Sequence, residues 1–128
     1  MHVIPQDKYT TVMIVDDSVF MRDMLGTMLG LKGFKVVAEA ADGDEAVVKY
    51  LELRPQITFM DILMPNKSGI DATNEIISID RNAKVVMCSS LGHEDLIKAA
   101  LESGARDVLF KPYKDLQLQE VLQRVMQF

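Results

Sequence analysis

Five times along the chain a short apolar run gives way to a longer segment of helical period, and this alternation constrains the fold more than any other feature. The runs cover residues 10–15, 34–40, 57–60, 83–88 and 108–110. The first is β-branched and apolar without polar alternation, the pattern of a strand buried on both faces. The second alternates and belongs nearer an edge. After the first run, Phe20, Met21, Met24, Leu25, Met28, Leu29 and Leu31 recur at helical spacing, with Asp17 or Ser18 as cap and Gly30 and Gly33 as the stop. Further helices are expected over 45–53, ended by Pro55, and over 70–79, 94–103 and 116–126. Ala46, Val47, Tyr50 and Leu51 form the inner face of the second helix, and Ile70, Thr73, Ile76 and Ile77 that of the third. Strict alternation implies a parallel sheet with right-handed crossovers and helices on both faces.

At 128 residues the chain is long enough for one core. Residues 1–9 read as a lead and 10–128 as a single domain. A net charge of −5 without a basic patch offers little to nucleic acid or to an acidic lipid surface. No apolar run is long enough for a membrane span, and the first residues lack a signal-peptide pattern. The single cysteine, Cys88, lies in an apolar run and reads as a buried small hydrophobe, which suits a reducing, cytoplasmic setting.

In open α/β sheets, sites form beyond the carboxyl ends of the strands. Asp16 and Asp17 follow the first apolar run, Asp61 the third, Ser89 the fourth and Lys111 the fifth. Each alone has a plain structural reading. Asp61 and the Asp16-Asp17 pair suit turns and caps, Ser89 can cap a helix, and Lys111 can be a surface lysine. Their joint order changes the balance. Adjacent carboxylates repel unless a cation lies between them, and a hard divalent ion such as Mg²⁺ takes oxygen ligands. Asp16, Asp17, Asp61 and the backbone carbonyl of Leu63 can supply such ligands. Zinc is not expected, because His2, His93 and Cys88 are scattered. An aspartate at a metal site can also act as a nucleophile toward phosphorus. Mg²⁺, Lys111 and Ser89 then provide one partner for each equatorial phosphoryl oxygen.

The runs Val15-Asp16-Asp17-Ser18, Met60-Asp61-Ile62-Leu63-Met64-Pro65 with Gly69, Cys88-Ser89-Ser90, Gly104-Ala105 and Lys111-Pro112 together resemble those of response-regulator receiver domains. The likeness spans about residues 10–127, and the wording around Asp61 and Ser89 is closest to the CheY-like chemotaxis type. The resemblance implies a flavodoxin-like (βα)5 fold, a doubly wound sheet in the order 2-1-3-4-5. It implies Asp61 as phosphoacceptor and Asp16, Asp17, Asp61 and the Leu63 carbonyl as ligands of Mg²⁺, for which Mn²⁺ can substitute. It implies Ser89 and Lys111 as partners of the phosphoryl group and a cis Lys111-Pro112 bond. The phosphodonor is expected to be a CheA-like sensor histidine kinase or a small acyl phosphate. Output is expected through a protein docked on the last two helices and the fifth strand, with neither nucleic acid nor membrane as partner. Such a protein is a signalling phosphoacceptor rather than an enzyme. It is either complete as it stands or a receiver cut from a larger regulator.

One departure from the family pattern and one pair of flanking residues bear on signalling. The position three before the lysine, commonly a switch aromatic, is Val108, and Phe110 is expected on the opposite face of its strand. The residues two past the acceptor and two past the serine are Leu63 and Leu91. Both are apolar, which implies a shielded aspartyl-phosphate and slow self-hydrolysis. A rival reading, an aspartate-nucleophile phosphatase of the haloacid dehalogenase type, needs a second Asp where Leu63 stands. A flavin-binding module needs a Gly/Ser/Thr-rich phosphate loop where the Asp16-Asp17 pair stands.

Overall fold

The structure, a computed structural model, describes residues 9–90 and 94–127. Strands β1 (Thr11–Val15), β2 (Lys35–Ala40), β3 (Ile57–Asp61), β4 (Val85–Ser90) and β5 (Asp107–Lys111) alternate with five helices. These are α1 (Val19–Leu31), α2 (Gly43–Leu53), α3 (Gly69–Ile79), α4 (Glu94–Glu102) and α5 (Asp115–Met126). Every pairing is parallel and the order is β2-β1-β3-β4-β5. The chain leaves β1 toward β2 on one side and β3 toward β5 on the other. The crevice between β1 and β3, where the winding reverses, is the position that doubly wound sheets use for ligands.

Strand alternation sends neighbouring residues to opposite layers. Met13, Val15, Met60, Val85 and Met87 pack with Ala46, Val47 and Tyr50 of α2, Ala72 and Ile76 of α3 and Ala100 of α4. Val12, Ile14, Ile57, Phe59, Val86, Cys88 and Leu109 pack with Leu25 and Leu29 of α1 and Leu118, Val121, Leu122 and Val125 of α5. Cys88 is buried, as expected from its run. No helix of the described residues is long and apolar enough to cross a membrane.

Several boundaries and faces differ from the sequence reading. Ser18 caps α1, its hydroxyl accepting from the Met21 amide at 3.2 Å. Of the apolar residues spaced along α1 only Leu25 and Leu29 are buried, while Phe20 and Leu31 are 68% and 85% exposed. Helical spacing marks a stripe wider than the sheet can cover. On α2, Leu51 is likewise exposed. On α3, Ala72, Thr73 and Ile76 are buried, and Ile70 and Ile77 only partly so. Strand β4 starts later than expected, because Ala83 closes a turn through its amide bond to the Asp80 carbonyl. It also runs on to Ser90, paired with Lys111, so Ser89 sits on the strand and not in the loop beyond it. Phe110 is a correction: residues two apart on a strand share a face, and both Val108 and Phe110 pack on the α2–α3–α4 layer.

Candidate functional site

Strand register brings the acids together. Val15 of β1 pairs with Met60 of β3, so the next residues, Asp16 and Asp61, leave adjacent strands side by side. Asp16 is 2% and Asp61 7% exposed, whereas Asp17 faces solvent. Carboxylate oxygens of Asp16, Asp17 and Asp61 all lie within 4.8 Å of one another. Lys111, at the end of β5, reaches across: its Nζ donates to Asp16 Oδ2 at 2.9 Å and to Asp61 Oδ1 at 3.2 Å.

The Asp16 turn is held from three directions. The Ser18 amide donates to Asp16 Oδ1 at 2.9 Å, the Asp16 amide donates to the Ala40 carbonyl at 3.0 Å, and Arg22 Nη1 donates to the Asp16 carbonyl at 2.6 Å. Arg22 also pairs with Glu39 at 2.9 Å. The sequence reading passed over Arg22. Its one signal was a cation near the start of a helix, where the helix dipole disfavours it.

Asp61 is braced by the turn that follows. The Gly69 amide donates to the Ile62 carbonyl at 2.9 Å. A Cβ at Gly69 would stand 2.0 Å from the Asp61 carbonyl oxygen, so no other residue fits there without moving the acid. Burial, and then the nearby Asp16 charge, push the Asp61 carboxyl up to about 6 against the pull of Lys111. Burial works against the Lys111 charge, but its bonds to Asp16 and the charge of Asp61 outweigh this and raise its affinity for the proton.

A pocket of about 130 Å³ opens beside these groups, lined by Asp61, Ile62, Leu63, Cys88, Ser89, Ser90 and Lys111. Leu63 is 55% exposed at its wall. The buried Ser89 hydroxyl donates to the Ser90 carbonyl at 3.0 Å, a bond it can exchange for another acceptor by rotation. Val108 is buried in the layer packed against α2, α3 and α4. The Lys111-Pro112 bond is cis. Leu91 lies outside the described residues.

Three carboxylates around one ammonium leave negative charge in excess, and hard oxygen donors of this kind suit Mg²⁺. The structure therefore gathers Asp16, Asp17, Asp61, Ser89 and Lys111 at one sheet edge, a cluster able to take a divalent cation and an anion together.

A family profile described as the response regulator receiver domain matches residues 12–123. The chain is 46% identical over 114 residues to the chemotaxis protein CheY of Thermotoga maritima, covering 89% of this chain and 95% of that one. It is 41% identical to CheY of Bacillus subtilis, covering 90% and 96%. Among solved structures, the CheX–CheY complex with BeF3 and Mg²⁺ from Borrelia burgdorferi contains a chain that superposes with a TM-score of 0.81 at 42% identity, covering 91% of this chain and 87% of that one. The receiver domain of NtrX from Brucella abortus superposes at 0.84 with 29% identity, covering 91% and 98%. The profile match runs from β1 into α5, and on that basis the chain belongs to the response regulator receiver domain family.

Proposed function

We propose that this receiver is a CheY-like response regulator of a cytoplasmic two-component system serving chemotaxis. In this reading it takes a phosphoryl group from a CheA-like histidine kinase onto Asp61. The observation that carries the reading is the bridge from Lys111 to both Asp16 and Asp61, at 2.9 and 3.2 Å, at the mouth of the pocket.

The side chains then divide the work. An Asp61 carboxylate oxygen attacks the phosphorus, the P–N bond to the donor imidazole breaks, and the released nitrogen takes up a proton. Bound Mg²⁺, or Mn²⁺ in its place, supplies positive charge to the transferring group. Asp16, Asp17 and Asp61 with the Leu63 carbonyl would hold that ion. Lys111 moves its ammonium from carboxylate to phosphoryl oxygen, and Ser89 turns its hydroxyl away from the Ser90 carbonyl to meet another. The side chains of Leu63 and Leu91 can offer no hydrogen bond to an incoming water, so the acyl phosphate is long-lived. With Val108 in place of an aromatic, the signal passes through the backbone beyond Ser89 into α4. A protein target docks on α4, β5 and α5, and phosphorylation favours the conformation that target binds.

Intact-mass measurement with acetyl phosphate tests this. One phosphoryl group should be gained with Mg²⁺, and none with a chelator or in Asp61→Asn. A gain that survives in Asp61→Asn would refute the assignment.

A further inference from the structure

The β3–α3 loop, residues 62–68, carries Leu63 and is tied down at its far end. Asn66 Nδ2 donates to Asp42 Oδ2 at 2.7 Å. The Gly43 amide donates to the Lys67 carbonyl at 3.1 Å. A Cβ at Gly43 would stand 2.5 Å from that same carbonyl oxygen, so the backbone contact depends on glycine. Asn66 lies at φ 68°, the left-handed region that asparagine tolerates well. The Lys67 ammonium pairs with Asp44 at 3.3 Å and with Glu75, linking the loop to α2 and α3.

The other Asp42 oxygen accepts from the Glu45 amide at 2.8 Å and caps α2. These bonds, from the Glu45 amide and then from Asn66, hold the Asp42 carboxyl below its usual range, so it remains a charged acceptor. The same junction reaches the acid pair from the other side, where the Ala40 carbonyl accepts from the Asp16 amide at 3.0 Å. Residues 40–43 therefore hold the Asp16 turn in one direction and residues 66–67 in the other.

We infer that Asp42 and Asn66 are positioning residues for the Mg²⁺ site, setting the Leu63 loop in register with the Asp16-Asp17 turn. The inference rests on the ligand set proposed above. Mg²⁺ demands near-ideal octahedral geometry and tolerates misplaced ligands poorly. Partners one step behind metal ligands commonly carry 10–100-fold in affinity. A loop freed at Asn66 has to be ordered at the moment of binding, which weakens it.

Amide NMR shifts during Mg²⁺ titration, read for the wild type, Asn66→Gly, Asp42→Ser and the double variant, test the clamp. Glycine keeps the left-handed backbone and serine keeps the helix cap, so each variant removes the clamp bond while sparing its own segment. Each should raise the Kd for Mg²⁺ about tenfold. The double variant should be no weaker than either single one, because one bond is lost in all three. Unchanged affinity in the single variants, or losses that add in the double, would overturn the clamp while leaving the ligand set in place. A wild type that binds no Mg²⁺ would remove the ligand set and the inference with it.

Discussion

Asp61→Asn should make the metal-free protein more stable at neutral pH. The carboxyl is held in a buried site beside Asp16, and its proton affinity rises from 3.8 to about 6. At about 1.4 kcal/mol per pH unit, that difference corresponds to roughly 3 kcal/mol of destabilisation whenever Asp61 is ionised in the folded state. The sign follows from proton binding. Well below pH 4 the group is protonated folded and unfolded alike, and costs nothing. Between pH 4 and 6 the unfolded chain has released the proton while the folded one keeps it, so stability falls as pH rises. Above pH 6 the whole penalty is present. Asparagine has the same size, carries no charge and leaves Lys111 paired with Asp16. Urea melts in the presence of a chelator should therefore show Asp61→Asn ahead of the wild type by about 2–3 kcal/mol at pH 8, and by about half as much at pH 5. Equal stability at pH 8, or a gap that widens as pH falls, would refute the electrostatic account.

Gly69→Ala places a methyl 2.0 Å from the Asp61 carbonyl oxygen and should cost about 3 kcal/mol by thermal melting. It should also slow phosphorylation by acetyl phosphate, since the backbone of Asp61, the proposed acceptor, has to move. Ser18→Ala removes the α1 cap and should cost about 1 kcal/mol, read as a lower urea midpoint with unchanged slope. Leu63→Asn with Leu91→Glu should speed loss of the phosphoryl group several-fold, followed by intact mass over time; an unchanged lifetime would show that these side chains do not shield the site.

Much of the candidate site is legible in the sequence. Strand-end position alone put Asp16, Asp61 and Lys111 at one edge, because a parallel sheet brings all its carboxyl ends to the same side. Ser18 was one of two residues offered as the α1 cap, and the bond to the Met21 amide decides between them. Local pattern failed where the answer depended on which surface a neighbour covers. Phe20 and Leu51 have the right period for burial, yet among the described residues both side chains stay exposed. Phe110 was misplaced through its parity with Val108, an error the strand's own period could have corrected.

Taken by itself, the amino-acid order determined the alternation of strands and helices, the chemistry at each strand end and the breaks at glycine and proline. These are local properties, set by side-chain shape, backbone freedom and short-range periodicity. Only the tertiary structure decided how those pieces act on one another. It set the bridge from Lys111 to two acids, the grip of Arg22 on the Asp16 carbonyl and the bond from Asn66 to Asp42. It also raised Asp61 to about 6, which no sequence pattern states, because desolvation and the field of Asp16 exist only once β1 and β3 stand side by side.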